Sequence, residues 1–355
     1  MRSFSVRQQP LEVVFGPGSL AKLPEMLATC ELKRAVLVPS PSQRLAVGRV
    51  TGLVPELVTG TFEGVAPHVP ASAVQALQRF AESRKADALI AIGGGAAIDL
   101  AKAASFRTSL TVVAVPTTYG GSELTAHAGQ VSDGKKQSVH SGPPRAVLYD
   151  PELTSGLPRR ATAGSAMNAL AHSVEALYAP NAQPLALLAA EEALRLIPPA
   201  LRIVATATHD IEARTELLYG AYLAGVALAG SGMALHHRIC HVLGGRYGIA
   251  HGYANAVMLA HVVRFNEPFA PEAIAKVARA LGTDDAAEAL GILAREAGAP
   301  ASLGDLGLDL GERETIADLV LSQPLVNPRP VGREALLRLL TDAWGSELAP
   351  RGRTT

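Results

Sequence analysis

Two pairs of polar residues stand four apart in otherwise apolar stretches: Asn168 with His172, and His237 with His241. On a helix that spacing puts both members of a pair on one face. His251 follows His241, and the Gly244-Gly245 pair between them predicts a turn that brings His251 back toward His237 and His241. Imidazoles can ligate a metal, pass a proton near neutral pH, or hydrogen-bond an anionic oxygen. Asn168, His172, His237, His241 and His251 are therefore the candidate catalytic residues. His68, His127, His140, His209, His236 and His261 have no such partners along the chain and read as structural or surface residues.

A different chemistry is written in Ala88-Leu-Ile-Ala-Ile-Gly93-Gly94-Gly95, where an apolar strand runs into three glycines and a helix begins at once. Bare glycine lets backbone N–H groups approach a pyrophosphate, and a helix N-terminus adds partial positive charge there. The spacing is not GxGxxG, so the standard dinucleotide fingerprint does not apply in detail. A second loop, Val115-Pro-Thr117-Thr118-Tyr-Gly-Gly-Ser122-Glu, gathers hydroxyls and glycines after the next strand, which suits ribose and phosphate contacts. The strand at residues 35–39 ends in Ser40, with Arg44 nearby and no acid to repel a 2′-phosphate. Weak discrimination between NADH and NADPH is expected from that end.

These residues need elements to carry them. Runs rich in Val, Leu and Ile at residues 11–15, 35–39, 88–92, 111–115 and 146–149 predict strands. Helical patterns at 20–28, 71–85 and 96–107 lie between them, and that alternation predicts a parallel sheet with helices on both faces. After Asp150-Pro151 the texture turns to Ala and Leu, with helices expected at 163–178, 185–196, 212–229 and 271–281. The Gly- and Pro-bearing segment 154–160 reads as a linker. The expected organisation is thus an α/β dinucleotide-binding domain over residues 1–155, Rossmann-like, followed by an all-α catalytic domain over 156–355.

The chain has 355 residues with 32 basic and 32 acidic side chains, a balance that argues against a nucleic-acid or acidic-membrane partner. No apolar run reaches the roughly 18 residues that span a bilayer. Cys30 and Cys240 form no CxxC pattern, and residues 1–10 hold no hydrophobic signal core, so a cytoplasmic enzyme is expected.

Taken in order, these motifs resemble the iron-type alcohol dehydrogenases. Phe15-Gly-Pro-Gly18 is similar to their opening strand and turn. Gly93 through Asp99 and Lys102 is similar to their GGGSxxDxxK loop with Ala96 for Ser, which implies that Asp99 is a cofactor residue. Residues 116–123 resemble their PTTxGTGSE loop, one residue shorter, and Lys136 matches a cofactor-contacting lysine loosely. His237, His241 and His251 reproduce their HxxxH-x9-H spacing. The resemblance implies a dehydroquinate-synthase-like fold and NADH or NADPH as cofactor.

The metal-binding members hold a divalent ion with an Asp and three histidines; His172, His237 and His251 match the histidines, but Asn168 stands at the Asp position. That stretch, the shortened loop and Val326-Asn-Pro-Arg-Pro330 resemble the maleylacetate reductase subfamily. The implied reaction is reduction of the C=C bond of maleylacetate, a small dicarboxylate, to 3-oxoadipate in aromatic-compound degradation, by a cytoplasmic homodimer. An ion held by neutral ligands alone would keep its charge uncompensated, so no metal is expected, and His241 or His251 becomes the expected general acid. Arg238, Arg246 and Arg329 are candidate partners for the substrate carboxylates. The competing readings are a metal-dependent alcohol or polyol dehydrogenase of the same superfamily, a dehydroquinate-synthase-like lyase, and a binding protein without activity.

Overall fold

A computed structural model describes residues 11–132, 135–345 and 348–349; the side chains of residues 132–137 lie outside that description. The chain forms two compact units, residues 1–157 and 158–355.

In the first unit, strands alternate with helices: β1 (Glu12–Phe15), α1 (Leu23–Thr29), β2 (Ala35–Pro39), α2 (Arg44–Leu53), β3 (Val58–Thr61), α3 (Ala71–Ser83), β4 (Ala88–Gly93), α4 (Gly95–Ser105) and β5 (Thr111–Pro116). The pair β6 (His127–Ser132) and β7 (Lys135–His140) follows, and then β8 (Ala146–Tyr149). Among the described residues, six strands make one sheet in the order β1-β8-β5-β4-β2-β3, with every pairing parallel. Strands β2 and β4 are buried along their whole length, which explains why their sequences are continuous aliphatic runs rather than alternating ones. Leu37, Ile90, Ile92, Val113, Val115 and Leu148 share a core with Leu20, Leu23 and Leu27 from the first helical segment.

The register decides where the loops end up. Pro39 pairs with Ile92 and Gly93 with Pro116, so β2, β4 and β5 finish level. Ser40, Gly94 and Thr117 therefore emerge at one carboxyl edge of the sheet, the edge at which open parallel sheets bind ligands. In the first unit, helix α2, strand β3 and the strands β6 and β7 are not among the elements expected from sequence. Strand β3, Val-Thr-Gly-Thr, is short and only half-buried, so it carries no run of aliphatics to betray it. The antiparallel pair β6–β7 is mostly polar, with Ala128, Val131 and Val139 as its aliphatic residues, and sits outside the main sheet.

The second unit is helical among the described residues: α5 (Arg159–Tyr178), α6 (Pro184–Thr206), α7 (Ile211–Ala229), α8 (Leu235–Tyr247), α9 (His251–Asn266), α10 (Pro271–Leu281), α11 (Ala286–Ala297), α12 (Arg313–Leu321) and α13 (Arg333–Trp344). Helix α6 runs well past the predicted end near Leu196, straight through Pro198-Pro199. Its buried stripe, including Ala193, Ile197, Leu201 and Val204, continues on both sides of the prolines. The apolar burial outweighs the lost backbone bonds, at about 3 kcal/mol for an interior proline. A core of Leu235, Ile239, Leu243, Met258, Val262, Ile316, Val320 and Leu340 ties α8, α9, α12 and α13 together.

The turn before His251 also differs from expectation. Gly244 and Gly245 lie inside α8, and the helix ends at Gly248, which takes a left-handed conformation with φ of 68°. Its N–H bonds back to the carbonyl of Gly244 at 3.1 Å. A glycine just beyond the last turn closes the helix at no steric cost, whereas two inside it only weaken its propensity.

Candidate active site

At the carboxyl edge of the sheet in the first unit, α4 starts immediately after β4, with Gly94 as its N-cap and no side-chain cap. The first backbone N–H groups of a helix have no partners within it. Gly93 has φ of +153°, and a Cβ there would fall 2.1 Å from Ser40 Oγ. A Cβ on Gly94 would press on the Thr118 side chain at 3.0 Å, while the space beside Gly95 is open. Thr117 is buried and its Oγ1 has no hydrogen-bond partner among the described residues. A bare helix start, an open glycine and a buried unsatisfied hydroxyl together fit a pyrophosphate-bearing dinucleotide.

Farther along the second loop, Ser122 is tied to side chains of α4. The Asp99 carboxylate accepts from Ser122 Oγ and, at 3.1 Å, from the backbone N–H of Gly129. Lys102, wholly buried, lies 3.2 Å from Asp99 and donates to the carbonyls of Ser122 and His127. Burial lowers its pKa from the ordinary value, and Asp99 pulls against that shift. Asp99 and Ser122, both expected to touch a cofactor, thus hold α4, the loop and the β6–β7 pair in place. Ser40 packs over Gly93, its N–H bonded to Ile92 O at 2.8 Å, and Arg44 stands exposed at the start of α2. The Lys136 side chain lies outside the described residues.

In the second unit, α5, α8 and α9 bring the polar pairs together. His172 stacks on His237 with ring centroids 4.6 Å apart and planes within 14°. His237 lies 6.3 Å from His241 and 6.0 Å from His251, and His241 stacks against His251 at 5.7 Å. Asn168 Oδ1 is 3.3 Å from His237 Nε2. All five predicted residues therefore share one site. His251 reaches it as the first residue of α9, whose second residue, Gly252, packs on Gly164 of α5.

Three partners were missed in sequence. Glu175, on α5, bonds His237 Nδ1 at 2.7 Å. Asn255 Oδ1 meets His236 Nε2 at 2.7 Å, and Asn255 Nδ2 donates to His251 O at 2.7 Å. His236, read as structural or surface, is fully buried beside the site, with its ring 5.0 Å from that of His237. The signal was present as spacing: Glu175 continues the Asn168–His172 face of α5 at the next helical interval, and Asn255 stands four after His251.

Burial sets the protonation states. His172 is held well below the usual imidazole pKa by desolvation and by its neighbours His237 and His236. Desolvation takes His236 down to about 4. Neutral histidine is thus the ground state for both near pH 7. Two of the arginines expected to meet substrate carboxylates are engaged within this unit. Arg238 Nε donates to Val320 O, while Arg329 donates to Phe265 O and lies 4.2 Å over the Phe265 ring. Arg246 is exposed in the last turn of α8.

The donor set facing His237 offers imidazoles and a neutral amide rather than a carboxylate. Among the described residues, no group of three or more His, Cys, Asp or Glu side chains is placed to hold a divalent ion. Glu175 engages Nδ1 of His237 at 2.7 Å, and Asn168, whose Oδ1 stands 3.3 Å from Nε2, brings no negative charge.

Comparison with known proteins agrees with both halves of this description. Residues 10–151 match the family model for iron-containing alcohol dehydrogenase, and residues 162–344 match its C-terminal counterpart. Maleylacetate reductases of Pseudomonas knackmussii and Pseudomonas aeruginosa are each 41% identical to the chain, covering 94% of it and 95% of their own length. The crystal structure of maleylacetate reductase from Agrobacterium tumefaciens superposes with a TM-score of 0.91 at 36% identity, covering 97% of this chain and 99% of that one. With a parallel sheet ending in a glycine cradle, a helical unit carrying the histidines, and matches along nearly its whole length, this chain belongs to the iron-containing alcohol dehydrogenase family.

Proposed function

We propose that the chain reduces the C=C bond of maleylacetate to give 3-oxoadipate, using NADH or NADPH and no resident divalent ion. The observation that carries this reading is Asn168, a neutral amide facing His237 where the resemblance implies a metal-binding carboxylate, in a chain whose relatives include maleylacetate reductases at 41% identity. Maleylacetate is an alkene conjugated to a ketone, with a carboxylate at each end. Conjugation makes it a better acceptor than a simple aldehyde, so its carbonyl needs less polarisation.

Gly94, Gly95 and the start of α4 would hold the coenzyme's pyrophosphate, with Thr117 and Thr118 beside it. When bound, the reduced nicotinamide supplies a hydride to the alkene carbon β to the ketone. The chain's own residues then have two tasks. Imidazole N–H groups of the histidine cluster donate to the enolate oxygen, where negative charge develops. His241 or His251, the partly exposed members, delivers the proton to the α-carbon. Hydrogen bonds from the cluster would also help hold the substrate carboxylates, at roughly 1.5–3 kcal/mol for each charge-assisted hydrogen bond. Among the described residues no helix is long and apolar enough to cross a membrane, and we take the enzyme to act as a cytoplasmic homodimer.

The test follows coenzyme absorbance over a range of NADH and NADPH concentrations with maleylacetate, and with simple aldehydes as controls. Rapid maleylacetate-dependent oxidation is expected. With Ser40 and Arg44 at the end of β2, the two coenzymes should agree within about tenfold in kcat/KM, roughly 1.4 kcal/mol. Turnover of aldehydes with none of maleylacetate would replace this reading with a metal-dependent alcohol dehydrogenase.

A further inference from the structure

The start of α8 is built in an unusual way. Its N-cap is Ala234, which offers no side-chain oxygen to the first-turn N–H groups. Helices α7 and α11 carry their own caps, Asp210 and Asp285. At α8 the acceptor comes from another helix. Glu175 of α5 accepts from Ala234 N at 3.0 Å through Oε2 and from His236 N at 2.9 Å through Oε1. An anion at that end also meets the positive end of the helix dipole. The same Oε2 lies 2.7 Å from His237 Nδ1.

We propose that Glu175 is the positioning residue of the site: one buried carboxylate anchors the first turn of α8 and orients the His237 ring, so that Nε2 faces Asn168. A carboxylate receiving two backbone N–H groups acts as an acceptor, so the ring proton at that contact belongs to Nδ1. Flipping the imidazole would replace Nδ1 with a carbon and abandon the contact. His172 stacked on one face and His236 edge-on leave His237 little room to turn otherwise, and it is 1% exposed. With Nδ1 held, Nε2 is the nitrogen presented to Asn168 at 3.3 Å. Asn168, His172 and Glu175 lie on one face of α5, so a single helix sets the ring that α8 carries. This inference rests on the reading of the histidine cluster as the reacting site.

The primary measurement needs no variant. Long-range 1H–15N correlation on histidine-labelled enzyme, with the His237 signals assigned through His237→Gln, should show a proton on Nδ1 of His237. A bare Nδ1 would overturn the proposal, even if every variant failed to fold. Glu175→Gln keeps the volume but sets an NH2 against a donor. It should lower kcat about 10- to 100-fold, the usual effect of losing a partner that orients a functional histidine. Coenzyme affinity, read by fluorescence, should not change. A Glu175→Gln enzyme within twofold of the parent kcat would overturn the proposal. Adding Ala234→Ser to Glu175→Gln supplies a helix cap but no partner for Nδ1. Thermal stability should recover and kcat should not; recovery of both would reduce Glu175 to a structural cap and overturn the proposal. Failure of the parent enzyme to turn over maleylacetate would sink the functional reading and leave the His237 spectrum to decide this one.

Discussion

Gly252 of α9 lies against Gly164 of α5 so closely that a Cβ on Gly252 would sit 2.8 Å from the Gly164 carbonyl carbon and 3.0 Å from its oxygen. The obstacle is backbone, which cannot swing aside. His251 immediately precedes this contact, and Asn168 follows Gly164 by one helical turn, so the glycine pair sets how near His251 comes to the α5 side of the site.

Gly252→Ala should therefore push α9 off α5. Overpacking of this kind costs about 1–3 kcal/mol, and the melting temperature should fall by roughly 2–4 °C per kcal/mol. kcat should fall with it, because His251 moves. Calorimetry and steady-state kinetics check both, and a variant with parental Tm and kcat would mean the helices separate without consequence.

His241 and His251 stack at 5.7 Å and are the members of the cluster with partial exposure. Alanine at the residue that delivers the proton should lower kcat by about 10²–10⁴. Replacing the other should raise KM more than it lowers kcat. If neither variant loses more than about tenfold in kcat, the proton comes from elsewhere.

Asn168→Asp should convert the site toward ion binding. A carboxylate beside His172, His237 and His251 adds a charged oxygen donor, and affinity for zinc should rise more than about tenfold, roughly 1.4 kcal/mol. Elemental analysis after dialysis and calorimetric titration report this directly. The parent protein should come through exhaustive chelation with its activity intact; activity lost on chelation and restored by iron or zinc would overturn the metal-free reading.

Stability should decline in mild acid. Burial holds His236 and His261 near a pKa of about 4, against 6.5 as the ordinary value. Above pH 6.5 both are neutral whether the chain is folded or not, and they contribute no pH dependence. Below it the unfolded chain takes up protons that the folded one refuses. Each buried histidine then costs about 1.4 kcal/mol per pH unit until the folded value is reached. Melting temperature measured from pH 7.5 to 5 should be level at first and then fall, with a shallower fall in His261→Gln. A melting temperature unchanged down to pH 5 would contradict the burial assigned to these rings.

What the chain determined by itself is what depends on neighbours along it. The aliphatic run entering Gly93 specifies a buried strand, a φ of +153° that glycine tolerates, and a helix start. The four-residue spacing of Asn168–His172 and of His237–His241 specifies shared faces because the helical repeat is a property of the backbone. Whether those faces meet is decided by packing between helices distant in sequence. Nothing local to Gly244-Gly245 shows that the helix continues through them to Gly248, since the buried core around Leu243 is supplied by later helices. Nothing local to Glu175 marks it as the cap of a helix that begins at Leu235, because an acid on a helix is ordinarily a solvated one. Asp99 and Ser122 read as ligand contacts in sequence, and only the tertiary structure shows that they are also joined to each other and to Gly129. Spacing along one helix is fixed by covalent geometry, whereas a buried carboxylate finds its donors only after α5 and α8 have excluded the water that would otherwise serve it.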